Sequence, residues 1–331
     1  MKTGPRNLIT DIDSLLVGNS QDDRLKSGVT VLTAEVPFVA AVDVRGGAPG
    51  TRETDLLAPD KLVEKIDAIV LAGGSAFGLD AASGVTDALH HSGRGFEVAH
   101  VRVPLVSSAI IFDLLNGGEK VWKKNPYAEL GRQAFANRSA TFSLGTAGAG
   151  TGATTFDLKG GLGSASVLLS DGSLVGALVV ANPRGGVVTP GSGHFWAAPF
   201  EIGNEFGGYG VRSTAPDLVL HDPGLSADSM ANTTIAVVAT DLRMTVAQTQ
   251  RMAVAAHDGL ARATVPSHTP LDGDLVFGVS TGGRVMSNPI VSQAEVCHAA
   301  AVCLSRAIAR AVYLAAPASG DLLPCWQQQF G

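Results

Sequence analysis

Short apolar runs rich in β-branched residues alternate along this chain with segments of helical period. The apolar runs predict strands at residues 29–33, 36–44, 66–71, 174–181, 233–240 and 275–280. The helical periods predict one helix ending at His91 and two later helices over residues 244–262 and 292–315. Paired strands that are followed later in the chain by helices favour an α/β protein in which two stacked sheets are covered by helices. This four-layer α/β/β/α sandwich competes with a doubly wound parallel sheet.

Local signals refine three of these elements. Asp171-Gly172 lies within the apolar segment 167–175 and predicts a hairpin with a two-residue turn, because that turn needs positive φ. Thr245 is suited to cap the helix over residues 244–262. The alanine-rich helix over 292–315 is hydrophobic almost all round, so we expect it to be buried between layers.

The composition is that of a globular protein with a large core. The 331 residues fit one large domain or two ordinary ones, and 45% are hydrophobic while only 16% are charged. Such a chain has apolar surface left over for contacts between subunits. The formal net charge of −6 gives no electrostatic footprint for nucleic acid or an anionic membrane, so we expect neither as a partner.

The N-terminus, the cysteines and the histidines fit a cytoplasmic protein without a metal or cofactor. Residues 1–7 contain no apolar signal region, and apolar stretches such as 174–181 are too short to span a bilayer as a helix. The three cysteines form no CxxC pair, and Cys297 and Cys303 fit small core positions on a helix. The eight histidines show neither HxxxH nor HxH spacing, so we predict no metal site.

A glycine-rich segment over residues 145–155 has two interpretations. Its Gly148-x-Gly150-x-Gly152 pattern resembles a phosphate-binding loop, but no lysine-serine pair follows. We favour a flexible loop that lines a pocket, with Lys159 pointing into the same cavity, because glycines let a backbone approach a substrate closely.

A second glycine-rich segment, Gly73-Gly74-Ser75, directly follows a predicted strand. It differs from the Gly-x-Ser-x-Gly nucleophile elbow, and no histidine and aspartate are evidently placed to activate the serine. A tight strand-to-helix turn is therefore the better interpretation.

Polar residues stand at the mouth of an apolar strand at Asn232-Thr233-Thr234, directly before residues 235–240. A hydroxyl in that position could form a nucleophile site together with carboxylates that lie at the start of the next strand. If the chain is cut between Asn232 and Thr233, the hydroxyl also acquires a base of its own, the new α-amino group.

Three further side chains could complete such a site. Asp272 and Asp274 flank Gly273, and residues two apart on a strand face the same side, although a solvated turn explains the pattern as well. Asn182 ends a buried strand and could donate its amide to an oxyanion. Taken alone, it fits a turn residue before Pro183 better.

Together these segments resemble the DmpA-like aminopeptidases, a family that includes L-aminopeptidase/D-amidase-esterases, β-peptidyl aminopeptidases and the nylon-oligomer endo-hydrolase. The matching segments occur in the family's order and cover about residues 5–316. They are residues 71–79, 107–113, 148–153, 180–183, 231–235, 240–244 and 268–274. Their joint order and spacing, rather than any one motif, carry the resemblance.

The resemblance implies a single hydrolase domain, residues 1–331, that cuts itself between Asn232 and Thr233 into chains 1–232 and 233–331. Thr233 would then be an N-terminal nucleophile with its α-amino group as base. Further site residues carried over by resemblance are Asn182 as oxyanion donor, Asp272 and Asp274 as the acidic pair, Lys159 as a catalytic residue, and Phe112, Gly148 and Gly150 in the substrate pocket. The family also implies the four-layer sandwich and oligomers, often tetramers, of processed heterodimers.

Two departures limit what the resemblance implies about substrate. Some members carry a tyrosine where this chain has Phe112, so a phenolic hydrogen bond is missing here. Other members use serine as the nucleophile, and Thr233 with Asp-Gly-Asp is closer to the nylon-oligomer hydrolase branch. Since the pocket walls decide specificity, this local similarity does not establish the substrate.

Three functions therefore compete at this point. The first is a self-processing amidohydrolase or aminopeptidase that acts on small peptides or ω-amino acid oligomers through an acyl-enzyme on Thr233. The second is an acyltransferase of the ornithine-acetyltransferase type that uses the same threonine. The third, a non-catalytic binding protein that stays uncut, is disfavoured because Thr233, Asn182 and the acidic pair are all present.

Overall fold

Eleven strands and five α-helices form the part of the chain that this computed structural model describes, residues 1–214 and 232–331. The strands are β1 (Leu15–Asp22), β2 (Ser27–Val44), β3 (Thr51–Arg52), β4 (Lys65–Ala72), β5 (Phe96–Val98), β6 (Val101–Val103), β7 (Val106–Ile110), β8 (Gly161–Leu168), β9 (Leu174–Ala181), β10 (Ile235–Leu242) and β11 (Leu275–Arg284). The helices are α1 (Ala81–His91), α2 (Tyr127–Ala136), α3 (Val246–Ala263), α4 (Pro289–Tyr313) and α5 (Trp326–Phe330).

Nine of the strands form one continuous hydrogen-bonded sheet, and the long strand β2 joins its two halves by pairing with β1 and β4 and, nearer its C-terminal end, with β11. The strand order is β3-β7-β4-β2-β11-β10-β9-β8, with β1 paired to β2. The sequence predicted two strands here, at 29–33 and 36–44, whereas the structure has one strand of 18 residues. Its pairing with β4 shifts register between Thr33 and Phe38, around Pro37, which has no N–H to donate to a neighbour.

Three buried apolar clusters show that the architecture is a four-layer sandwich. The middle cluster joins the inner faces of the two layers, and β10 contributes Ile235, Val237 and Ala239 to it. The alternate residues Ala236 and Val238 face the second cluster, which includes residues of α3 and α4. The third cluster packs α1 and α2 against β2 and β4. The predicted α/β/β/α sandwich is confirmed, and most neighbouring strands are antiparallel, unlike those of a doubly wound sheet.

The two long helices begin at recognisable caps. The Thr245 side chain accepts a hydrogen bond from the backbone N–H of Gln248, as the sequence predicted. Asn288 caps α4, which therefore starts three residues before the predicted position. Helix α4 is long and apolar enough to cross a membrane by length and composition, but 78% of its most apolar window is buried inside the protein. That burial is characteristic of a core helix.

Two predicted turns have the expected place, and one of them differs in its geometry. Gly74 adopts φ +84° and starts the short 3-10 segment that leads into α1, so residues 73–75 do form a strand-to-helix turn. Between β8 and β9 only Gly172 has positive φ. The predicted two-residue turn is wrong, because the Asp171 carboxylate accepts the N–H and hydroxyl of Ser173 and builds a wider loop.

A buried ion pair fastens α4 to the segment after residue 200. Arg306 is fully buried and donates two hydrogen bonds to the carboxylate of Glu205, at 2.6 and 3.0 Å. Its remaining donors reach the carbonyl of Ser166 and the side chain of Asn7. These contacts satisfy a charge that would otherwise be costly to bury.

We expect Arg306→Met to lower the free energy of unfolding by about 3–5 kcal/mol, because it leaves Glu205 as a buried, poorly compensated charge. Adding Glu205→Gln should restore part of that loss. Urea denaturation of both variants at one protein concentration measures the effect. A double variant less stable than Arg306→Met would contradict this account.

Candidate active site

Three chain segments meet where β10 begins. The pairing of β10 with β9 places Thr233 beside Asn182, whose carbonyl accepts the Thr233 N–H at 2.8 Å. On the other side, Asn232 forms a parallel bridge with Asp272, just before β11. Thr233 is only 3% exposed. The sheet register thus gathers residues that lie about 50 and 40 positions apart in the sequence.

Two hydrogen bonds converge on the carbonyl oxygen of Asn232. The Thr233 hydroxyl donates to it at 2.5 Å, and the backbone N–H of Gly273 donates to it at 3.0 Å. The peptide bond that the sequence singled out therefore has a hydroxyl against it and an amide donor where negative charge would develop during attack. Sequence reasoning missed the Gly273 N–H and noted this glycine only as the residue between the two aspartates.

Both aspartates are buried, and they hold backbone groups around the threonine. Asp274 Oδ1 accepts the Thr234 N–H at 2.7 Å. Asp272 Oδ1 accepts the Arg184 N–H at 3.0 Å, and its other oxygen accepts the N–H and hydroxyl of Thr269. Burial raises the pKa of Asp272, and the nearby charge of Asp274 raises it further. The predicted pair is thus present as two carboxyl groups with different partners.

Asn182 has a side chain that is fixed at its acceptor end. Its Oδ1 accepts the Thr154 N–H at 2.9 Å, and its Nδ2 donates to the carbonyl of Phe112 at 3.4 Å. The main-chain carbonyl of the same residue receives the Thr233 N–H. The structure therefore brings Asn182 beside Thr233 and the main chain of Phe112 against the Asn182 side chain, while the roles of oxyanion donor and pocket wall stay predictions.

Lys159 has different neighbours from the other predicted catalytic residues. Its ammonium group donates to Asp321 at 2.7 Å and to the carbonyl of Ala316 at 3.0 Å. Asp321 also accepts from Lys26 at 2.6 Å, so one carboxylate serves two largely buried lysines. These contacts tie Lys159 to the C-terminal segment, and its catalytic role stays a prediction.

Gly148 and Gly150 are buried and closely packed, and their place in the substrate pocket stays a prediction. A side chain at Gly148 would meet the Thr30 hydroxyl at 2.3 Å, and one at Gly150 would meet the Leu162 nitrogen at 2.1 Å. Close packing is therefore a sufficient reason for glycine at both positions. The later part of the same loop reaches the site, since Thr154 binds Asn182.

Two histidines adjoin Asp274. His268 Nδ1 lies 2.9 Å from Asp274 Oδ2, and the ring of His257 lies 4.8 Å from that of His268. His257 is fully buried on α3, with Nε2 3.1 Å from the carbonyl of Asp43. Burial lowers the pKa of His257 to about 4. Within residues 1–214 and 232–331, no His, Cys, Asp and Glu side chains group in threes to hold a metal ion.

Comparison with protein families and curated sequences gives a consistent result. The model of peptidase family S58 matches residues 7–322. An uncharacterized aminopeptidase of Mycobacterium tuberculosis (strain H37Rv) is 41% identical over 347 residues, covering 98% of each chain. The 6-aminohexanoate-oligomer endohydrolase of Paenarthrobacter ureafaciens is 30% identical over 291 residues, covering 84% of this chain and 76% of its own.

Solved structures share the fold. A beta-aminopeptidase of Burkholderia sp. superposes with a TM-score of 0.73 at 22% identity, covering 99% of this chain and 93% of its own. The L-aminopeptidase D-Ala-esterase/amidase of Ochrobactrum anthropi, described as a variant of the Ntn hydrolase fold, has a TM-score of 0.68 at 22% identity. It covers 97% of this chain and 90% of its own.

We expect Gly273→Ala to abolish any chemistry at Thr233 while the protein still folds. The added methyl group would lie 2.6 Å from the Ala48 carbonyl and 2.9 Å from the Thr233 hydroxyl, so the donor segment must move. Gly283→Ala on the following strand, β11, is the control, because the nearest atom to its added methyl group would be 3.7 Å away. Circular dichroism and activity assays of both variants test this, and an active Gly273→Ala would contradict it.

We expect His257 to make stability fall as the pH falls from about 6.5 towards 4. The folded state keeps this imidazole neutral while the unfolded chain takes up a proton near pH 6.5, so acid favours unfolding by at most about 3 kcal/mol. Urea unfolding at pH 7 and pH 4.5 should show a smaller difference for His257→Gln than for the wild type. His100 is exposed, so His100→Gln should leave this stability difference as it is in the wild type. An equal difference between pH 7 and pH 4.5 in all three proteins would refute the assignment.

Proposed function

The chain belongs to peptidase family S58 and is a hydrolase of peptide or amide bonds, and we propose that it cuts itself between Asn232 and Thr233 and then uses Thr233 as an N-terminal nucleophile. The observation that carries this proposal is the pair of hydrogen bonds on the Asn232 carbonyl, from the Thr233 hydroxyl and the Gly273 N–H. A nucleophile and an oxyanion donor thus already face one peptide bond in the uncut chain.

The self-cleavage step follows from this geometry. The Thr233 hydroxyl attacks the Asn232 carbonyl carbon, and the Gly273 N–H stabilises the oxyanion. The carbon–nitrogen bond then breaks, the Thr233 nitrogen takes up the proton, and the Asn232 acyl group is left as an ester on the threonine oxygen. Water opens the ester, which gives a carboxylate at Asn232 and restores the hydroxyl of Thr233.

The same groups then serve an external substrate. The free α-amino group of Thr233, with an ordinary pKa near 8, takes the hydroxyl proton directly or through a water molecule. The Asn182 carbonyl accepts the Thr233 N–H in the uncut chain, which supports a role for it in orienting that amino group. The substrate carbonyl takes the place that Asn232 leaves, with the Gly273 N–H as one oxyanion donor and Asn182 Nδ2 as the proposed second one.

The substrate class comes from the relatives rather than from the pocket. Their names include aminopeptidases, a beta-aminopeptidase and an endohydrolase of 6-aminohexanoate oligomers. We infer that this enzyme acts on small peptides or ω-amino acid oligomers through an acyl-enzyme on Thr233. We further propose that it works in the cytoplasm as a homotetramer of processed heterodimers.

Thr233→Ala should stay one chain and lose amidase activity, because it lacks the attacking oxygen. The wild type should give fragments of about 24 and 10 kDa, apportioning 33.8 kDa by residue count. Thr233→Ser keeps a hydroxyl, so it should still process itself and retain activity. Intact mass spectrometry and assays on α-peptide amides, β-peptides and aminohexanoate oligomers measure these outcomes.

A wild-type protein that remains uncut yet is fully active would refute the mechanism. Acyl transfer to an added amino acid in preference to water would instead favour the ornithine-acetyltransferase type of reaction.

A further inference from the structure

His268 holds one oxygen of Asp274 with two groups at once. Its backbone N–H donates to Asp274 Oδ2 at 3.1 Å, and its ring Nδ1 lies 2.9 Å from the same oxygen. The other oxygen, Oδ1, accepts the Thr234 N–H at 2.7 Å. Because a carboxylate is planar and rigid, fixing Oδ2 also fixes the position of Oδ1. His268 therefore acts on the residue directly after the proposed nucleophile.

The backbone of His268 supports a specific role for this residue. Its φ is +53°, a left-handed conformation that side-chain-bearing residues adopt at a cost of about 1 kcal/mol or more. Glycine or asparagine would adopt this conformation more readily. In this conformation the N–H and the ring nitrogen of His268 both meet the same carboxylate oxygen.

Asp274 is the hydrogen-bond partner of the His268 ring within the part of the chain that the structure describes. Among the described residues, His268 Nε2 is buried and has no hydrogen-bond partner. The ring packs edge-on against His257, which is itself held near Asp43. The side chain is 19% exposed, so packing against His257 and the bond to Asp274 together set the ring orientation.

We propose that His268 is a positioning residue for the reaction at Thr233. It keeps the Asp274 carboxylate aligned, and Asp274 in turn fixes the Thr234 N–H and with it the direction of the Thr233 hydroxyl. The inference rests on the proposed function, since it assigns a role in that reaction. It requires that His268 donate through Nδ1–H to the carboxylate.

Two substitutions separate the donor from the backbone strain. His268→Asn keeps a donor near the Nδ1 position and tolerates positive φ, so it should retain kcat within about threefold of the wild type. His268→Gly relieves the strain but removes the donor, so it should lower kcat on the order of 10- to 100-fold with little change in KM. Ala99→Gly is the matched control, because Ala99 is exposed and also has φ +53°.

The outcomes decide between the possibilities. A His268→Gly enzyme with wild-type kcat overturns the proposal, and so does a His268→Asn enzyme as slow as His268→Gly when Ala99→Gly is normal. If the wild type itself is neither cut nor active, the proposed function fails, and the role of His268 in that reaction fails with it.

A spectroscopic measurement covers the case in which His268→Gly does not fold. In the uncut Thr233→Ala chain, nitrogen-15 NMR should show His268 with a proton on Nδ1, and Asp274→Asn should shift that signal. A neutral ring protonated only on Nε2, or a signal unaffected by Asp274→Asn, overturns the proposal.

Discussion

The site depends on one constraint, the parallel pairing that brings the segment before β10 alongside the segment before β11. This pairing places the Gly273 N–H against the Asn232 carbonyl, and only a residue without a side chain fits there. The Thr233 hydroxyl then completes the approach to the same oxygen. A shift of one residue in the register would turn the hydroxyl to the opposite face of the sheet and remove the backbone donor.

The polar groups around Thr233 are mostly satisfied by backbone N–H groups, and this explains how so many can be buried together. Asp272 and Asp274 lie at about 1% exposure beside each other, an arrangement that would be costly for two unpartnered carboxylates. Asp272 receives amide donors from Arg184 and Thr269, and its raised pKa reduces the repulsion by favouring its neutral form. The carboxyl groups thereby organise the loops that carry the reacting groups.

Sequence reasoning identified the side chains of the site better than its backbone groups. Thr233, Asn182 and the two aspartates stand at the ends of apolar runs, which are visible in a sequence, but Asn182 and the aspartates became site residues only through the family resemblance. The Gly273 N–H carries no residue-type signal, and the partnership of His268 with Asp274 depends on a left-handed backbone at His268.

Glycines and residues with distant partners are harder to interpret from the sequence. Gly148 and Gly150 were assigned to a pocket, because glycine permits close approach to a ligand and to a neighbouring backbone alike. Lys159 binds Asp321, which lies 162 positions later, and no local pattern indicates such a pair. The join of two predicted strands into β2 likewise follows from the tertiary structure, since Pro37 alone would suggest a break.

The position of the proposed cut also explains why two chains would remain together. Residues 233–331 supply β10, β11, α3 and α4, and β11 lies between β10 and β2 in the sheet. Strand β9 of the first chain pairs with β10, and the cluster under α4 draws residues from both sides of the cut. Separating the chains would break two strand ladders and expose this apolar cluster to water. A single broken peptide bond at the edge of that core frees an α-amino group without freeing the strand that carries it.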